Sequence, residues 1–490
     1  MDSFLRVLGK RKRSAVVDEF TEDDVYEMHL QDFNFRKLIM ACTLRFDHVL
    51  DADKLHAGLA RLLEMGDWRK LGGRLRPNAD GKLEIHVPKQ FSLKRPPVTF
   101  SHDDLSSMSI TDHGVASKLP VPTEKTSIQP NPYNLIELGV RANIPKTINE
   151  MVDCDLPQIS LHIISFEDAT LVSISWPHSV MGSQGFVALL HAWSLVVGGK
   201  ENEVPRLLGA RNDVLLEMEN NESQSSRQEL IFEKDRLKGG KLSLFILRLA
   251  WSLFWNPREV RSVFIPKMAL ERLQSACRDE MDQKESFDEE VILLAWFAKL
   301  AASATPRNKP VTIINLLNAR QPLSSMLDQS GAYVQNVLGY TFSFLTGQVA
   351  RGRLGPLVKE HSRHIREQST EQQCLSFLRA YRRATKGGRT FKLFYGPSDA
   401  HVIGCNSFLS ADVVHAVDFS AAVIRGPENV QDIPRGGMTC LYYHIMNNRL
   451  GCGPDCIYLL GKDHGENLWV TAALPPRAWE KIAVALEEYS

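Results

Sequence analysis

The chain has 490 residues, 43% of them apolar and 24% charged, enough to bury a sizeable core and, at about 150 residues per domain, to build roughly two to four domains. Fifty-eight basic side chains balance fifty-eight acidic ones, so no overall field draws it to nucleic acid or to anionic lipid. Eight cysteines are too sparse for a disulfide scaffold and fit a reducing, cytoplasmic setting.

The first residues, Met1-Asp2-Ser3-Phe4-Leu5-Arg6, carry an early acid and too few apolar side chains for the core of a secretory signal. The basic run Gly9-Lys10-Arg11-Lys12-Arg13 suits a nuclear address, but a solvated tail over residues 1–20 is the plainer reading. A first domain is expected over residues 21–200. Leu55, Leu59, Leu62 and Leu63 recur at helical spacing and predict one buried helix face. Leu71-Gly72-Gly73-Arg74-Leu75 and Lys82-Leu83-Glu84-Ile85-His86-Val87 flank Asp80-Gly81, which predicts a hairpin with a type I′ turn, because both central positions of that turn need positive φ.

From Ala169 to Val197 the period changes. Val172, Ile174 and Trp176 alternate with Ser173 and Ser175, the pattern of a half-buried strand; Phe186, Leu189, Leu190, Trp193 and Val197 then follow helical spacing. Residues Pro177 to Ser183 join the two, so His178 leaves a strand end and faces a helix start, where loops project side chains into clefts.

Residues 201–257 read as a crossover linker. As far as Lys241 the composition is polar and buries little apolar area. Leu242 to Trp255 is the longest apolar stretch, but it contains Arg248 and falls short of the ~20 residues a spanning helix needs. A helix packed on the domain surface is expected there, with an interfacial helix as the alternative.

The second domain is expected over residues 258–490. Val260 to Pro266 is extended, a helix follows from Ala269, and Ser286-Phe287-Asp288-Glu289 has the capping-box spacing ahead of Val291, Leu294, Ala295 and Ala298. Val311 to Leu316 is a β-branched run suited to a central strand, and Gly339 to Phe344 alternates like another. Strands and helices mix without strict βαβ alternation, which predicts α+β architecture with mixed layers.

The sequence holds no dinucleotide fingerprint, Walker loop, Gly-x-Ser-x-Gly elbow or His-Glu-x-x-His pair. Cys452-Gly453-Pro454-Asp455-Cys456 lacks a matching second pair, so no metal is expected. His361-Ser362-Arg363-His364 reads as a solvated helix face. His178 is left, and a lone histidine at a strand end is more often structural than catalytic.

Its context is more informative. Ser175-Trp176-Pro177-His178-Ser179-Val180-Met181-Gly182-Ser183-Gln184-Gly185-Phe186 resembles the His-x-x-x-Asp region of the BAHD acyltransferase superfamily, in particular its fungal, trichothecene 3-O-acetyltransferase-like branch. Leu71 to Leu75 with Asp80-Gly81, Asn315 to Arg320 with Tyr333 to Gly339, and Val417-Asp418-Phe419-Ser420-Ala421-Ala422 resemble three further family segments, in family order. The likeness implies two chloramphenicol-acetyltransferase-like domains, a channel between them where acyl donor and acceptor meet, acyl-CoA as co-substrate, and a monomer. It implies His178 as the general base that takes the acceptor's proton.

Two positions differ from the pattern. Gly182 stands where the family carries an aspartate, whose arginine partner matches Arg320. Losing one member of a buried ion pair costs about 3–5 kcal/mol, so Arg320 must meet a different anion, water or a substrate carboxylate. Asp418 and Phe419 keep the first two residues of the family's DFGWG segment while its glycines and tryptophan are gone; Asp418 is expected to hold the channel loop, on a backbone that leaves the usual path.

Three readings follow. The first is an acyl-CoA-dependent O-acyltransferase acting on a hydroxyl of a specialised metabolite. The second is a CoA-independent enzyme that condenses, cyclises or lactonises a polyketide-like or terpenoid substrate, with Arg320 gripping a carboxylate. The third is a non-catalytic binding protein. The partners expected are a small-molecule acceptor and an acyl donor, with no nucleic acid and no membrane span.

Overall fold

Strand Thr170–Pro177 lies between Ile39–Phe46 and Ser160–Phe166, antiparallel to both. The serine alternation predicts a half-buried strand, yet every residue of Thr170–Pro177 is buried. The small hydroxyls accept polar cover: Ser173 Oγ donates to Thr43 Oγ1 at 2.9 Å, and the turn Ile136–Gly139 closes over them. Gly139 comes so near that a Cβ there would sit 2.5 Å from Thr43 Oγ1.

The computed structural model describes residues 23–489 apart from 131–135, 142–143, 222–226, 281–285, 387–393, 427–428, 431–432 and 447–452. The basic run at 10–13 and Cys452 therefore lie outside the described residues. Two large mixed sheets organise the rest, an α+β arrangement. The first, five-stranded, runs in the order Cys440–Ile445, Ile39–Phe46, Thr170–Pro177, Ser160–Phe166, Thr99–Leu105. The second, seven-stranded, runs Leu338–Leu345, Val311–Asn318, His401–Ser407, Asp455–Lys462, Leu468–Leu474, Glu259–Ile265, Ser127–Gln129.

The halves of the chain trade strands. Cys440–Ile445 comes from the C-terminal half and pairs with Ile39–Phe46, while Ser127–Gln129 comes from the N-terminal half and edges the other sheet against Glu259–Ile265. Neither exchange carries a sequence signal, because a strand's pattern encodes its faces and not its neighbour.

Helices Ala52–Leu62 and Ser183–Val197 lie against each other beside the first sheet. Leu55, Leu59, Leu62 and Leu63 are fully buried, Trp193 Nε1 donates to Leu55 O at 2.9 Å, and Gly58 lets Val197 approach to 2.7 Å of where a Cβ would stand. In the second half Val311–Asn318 is an interior strand, antiparallel to Leu338–Leu345 and parallel to His401–Ser407.

Several local expectations are corrected. The hairpin Arg74–Pro77 to Leu83–Val87 forms, but only Gly81 takes positive φ (+77°), and its N–H donates to Asn78 O at 3.0 Å. That is a wider loop with one left-handed glycine in place of a two-residue turn, and Asn78 Oδ1 ties it by accepting from the N–H groups of Asp80 and Lys82. The helix after Ser286 starts at Glu289 with Asp288 as its N-cap, so the capping-box spacing marks the right neighbourhood and the wrong residue. His361 is buried, its Nδ1 2.8 Å from Ser343 Oγ, because the helix Leu354–Gln368 turns that residue inward with Leu357 and Val358. The helix Gly239–Trp255 is laid on the surface by Phe245, its one buried residue. Among the described residues no helix is long and apolar enough to cross a membrane.

The exchanged strand is held by Tyr442, a buried residue whose hydroxyl donates to Pro120 O at 2.8 Å. Tyr442→Phe strands that carbonyl, and a loss of about 1–3 kcal/mol is expected in denaturant unfolding. A change of a few tenths would mean that the strand is not anchored there.

Candidate active site

His178 follows directly on the end of Thr170–Pro177. Its N–H donates to Leu38 O at 2.8 Å, Val180 N–H closes the turn onto Pro177 O at 2.8 Å, and Trp176 Nε1 donates to Met181 O at 3.1 Å. The imidazole stacks on Phe35, ring centroids 4.7 Å apart. It is partly exposed and lines a pocket of about 530 Å³. One wall is made by Met40, Trp176, Met181, Phe186 and, from the exchanged strand of the same sheet, Leu441 and Tyr443; the other by Leu316, Leu338, Asn406 and Phe408 from the second sheet and the turn after it. The pocket therefore lies between the two sheets and is mostly apolar, the character of a small-molecule site.

Burial pushes the His178 ring down to about 4, with its own backbone carbonyl pulling weakly the other way. At neutral pH the ring is uncharged. Nδ1 is buried and makes no hydrogen bond, which leaves Nε2 as the nitrogen facing a ligand.

What steadies this loop comes from far along the chain. Asn336 Nδ2 donates to His178 O at 2.9 Å and to Asp32 Oδ1 at 2.7 Å, while Asn336 N–H reaches the same Asp32 oxygen at 2.9 Å. Asp32 and Asn336 are both buried. Burial raises the Asp32 carboxyl to about 7, against the pull of Lys70 and the two Asn336 donors. Asn336 also explains Gly182: a Cβ there would stand 2.8 Å from Asn336 Oδ1. The glycine leaves room for the amide that carries the loop.

Arg320 is not in the pocket wall. Its Nη2 donates to Gln335 O at 2.8 Å and Tyr333 O at 3.2 Å; burial lowers it to about 10, and Asp32 supplies the opposing negative charge. The group expected to grip a substrate carboxylate is spent on backbone carbonyls. Among the described residues no cluster of three or more His, Cys, Asp or Glu side chains is arranged to hold a metal.

Comparison with known proteins accords with this geometry. No family model matches the chain. It is 32% identical to the O-acetyltransferase PaAT-2 of Phomopsis amygdali, over 95% of this chain and 98% of that one. It is 31% identical to the acetyltransferase BOT5 of Botryotinia fuckeliana, over 96% and 91%. In fold it resembles F. graminearum TRI101 solved with coenzyme A and T-2 mycotoxin, with a TM-score of 0.64 at 13% identity over 94% of this chain and 97% of that one. The chain belongs to the BAHD acyltransferases. The relatives that show this are fungal acetyltransferases.

The remaining residue singled out in this BAHD acyltransferase, Asp418, stands away from the pocket. It is exposed, its N–H donates to Ser194 Oγ at 3.0 Å, and its Oδ1 accepts from Ser420 N–H at 2.9 Å, so it caps its own turn. Phe419 beside it is fully buried between Phe46 and Trp193. The turn Ser420–Ala422 needs no glycine, because the left-handed residue is Gly436, where a Cβ would stand 2.2 Å from Ser420 N.

The residues that sequence reasoning missed are Asp32, Asn336, Phe35, Asn406 and Tyr443. Asn336 lies inside a segment that carries the family resemblance, so that segment pointed towards it. Asp32 gives no such sign, being one acid among fifty-eight and 146 positions ahead of His178.

The packing of Asn336 against Gly182 makes a coupled pair. Gly182→Asp is expected to destabilise the BAHD acyltransferase, and Asn336→Ala to relieve part of that cost, with a coupling of roughly 0.5–3 kcal/mol in a double-mutant unfolding cycle. Additive effects would show that the two positions do not share the space.

Proposed function

We propose that this BAHD acyltransferase moves an acyl group from acyl-CoA to a hydroxyl of a small, lipophilic specialised metabolite, with His178 as general base. The observation that carries the reading is the uncharged imidazole on the wall of an apolar pocket between the two sheets. The likeness to TRI101, solved with coenzyme A and T-2 mycotoxin, supports acyl-CoA as the donor.

In this mechanism His178 Nε2 accepts the hydroxyl proton as the oxygen attacks the thioester carbonyl. The tetrahedral adduct collapses, the C–S bond breaks, and the imidazolium returns the proton to the thiolate. An ester and free CoA thiol result, so protons and electrons balance. Asn336 Nδ2 holds the His178 carbonyl and so fixes the backbone that presents the ring. The acceptor would lie against Trp176, Phe186 and Phe408, with Tyr443 from the first sheet and Asn406 from the second as polar groups in the lining.

Thiol release from acetyl-CoA in the presence of terpenoid or polyketide alcohols tests this directly. His178→Ala should lower kcat by roughly 10²–10⁴. Unchanged turnover would remove His178 from the mechanism.

The pH profile is a second test. A protonated ring cannot accept a proton, so activity is lost as pH falls. For the wild type kcat/KM should stay level down to about pH 5 and fall towards the His178 value of about 4. An acid limb near the ordinary histidine value of about 6.5 would show that the ring is not desolvated.

A further inference from the structure

The helix Gly239–Trp255 carries a face the fold does not use. Of its seventeen residues only Phe245 is buried, while Leu247 (67%), Trp251 (68%), Phe254 (76%) and Trp255 (59%) stand exposed. With Leu244 they recur at i, i+3, i+7, i+10 and i+11, a single apolar stripe at helical spacing. The Trp255 ring packs against those of Trp251 and Phe254, at centroid separations of 5.5 and 5.2 Å, so the three form one cluster.

The helix is held rigidly in this attitude. Beyond its end Arg258 donates to Ser252 O at 3.0 Å and to Asp455 Oδ1 at 2.8 Å, a buried ion pair. Its charge has one sign. The helix contains no Asp or Glu; Lys241 and Arg248 flank the stripe and Lys238 precedes it, and none of the three makes an ion pair among the described residues. Lys309 stands within electrostatic reach of both Arg248 and Arg351, with Asp399 and Asp455 as the opposing acids.

We infer that this helix docks the protein, in the plane of the interface, on a bilayer surface bearing anionic headgroups. Tryptophan and phenylalanine suit the boundary between headgroup and acyl chain, and unpaired cations beside an apolar stripe complement an anionic leaflet. A second copy of the chain would set cation against cation, and residues 10–13 of the N-terminal segment carry the same sign. The charge thus favours lipid over either of these. This inference does not depend on the chemistry proposed for His178.

Vesicle flotation of the full chain tests it. Vesicles of phosphatidylcholine with phosphatidylserine should carry roughly tenfold or more protein than phosphatidylcholine alone, and high salt should reduce the difference. The variant Trp251→Ser/Phe254→Ser/Trp255→Ser should lose flotation while keeping its melting temperature and its thiol-releasing activity. Lys241→Gln/Arg248→Gln should retain weak, salt-independent binding. Absence of flotation, equal flotation on neutral vesicles, or a dimer in solution that the serine variant dissociates would each overturn the inference.

Discussion

The active-site loop hangs from one carboxamide. Asn336 bridges His178 O and the buried Asp32 carboxylate, and the same stretch of chain is laced to the first half on either side. Gln31 and Leu338 exchange a pair of hydrogen bonds at 2.8 and 2.9 Å, while Gln335 Nε2 donates at 2.7 Å to Asp213, which also accepts from Leu30 N–H. This polar seam fixes residues 333–338 against helix Leu30–Phe35 where the two sheets meet. Because most of its polar groups are buried and hydrogen-bonded, shifting one would leave its partners unsatisfied, so the seam resists sliding.

The seam accounts for features that look like losses in the sequence. Gly182 lacks a side chain because Asn336 occupies that space, and Arg320 is satisfied by the carbonyls of Tyr333 and Gln335 within electrostatic reach of Asp32. A carboxylate still supports the arrangement, supplied from position 32. Burial also sets the state of His178: the enclosure that makes an apolar pocket removes water from the ring and keeps it uncharged. The base is therefore weaker than a free histidine but wholly available at neutral pH.

Much of this was legible in the sequence. The strand to helix step around His178, the leucine face of Ala52–Leu62 and the interior strand Val311–Asn318 all followed from period and β-branching, because burial on one face writes a period into the chain. The mixing of strands and helices without strict βαβ alternation pointed to α+β layers, and the family resemblance supplied the acyltransferase class. Pairing between distant segments was not legible: the exchanged strand Cys440–Ile445 and the Asp32–Asn336 contact depend on neighbours that no local pattern encodes. The surface helix Gly239–Trp255 followed from its apolar run interrupted by Arg248, whereas His361 was misread because a polar motif turned inward on its helix.

If the seam acts by orienting the imidazole, its effect on turnover should vanish once the imidazole is gone. The decisive measurement is a kinetic double-mutant cycle on acyl transfer with His178→Ala and Asn336→Ala. The account predicts that Asn336→Ala slows the wild-type enzyme, while the double variant is no slower than His178→Ala alone. Full additivity of the two losses would contradict it.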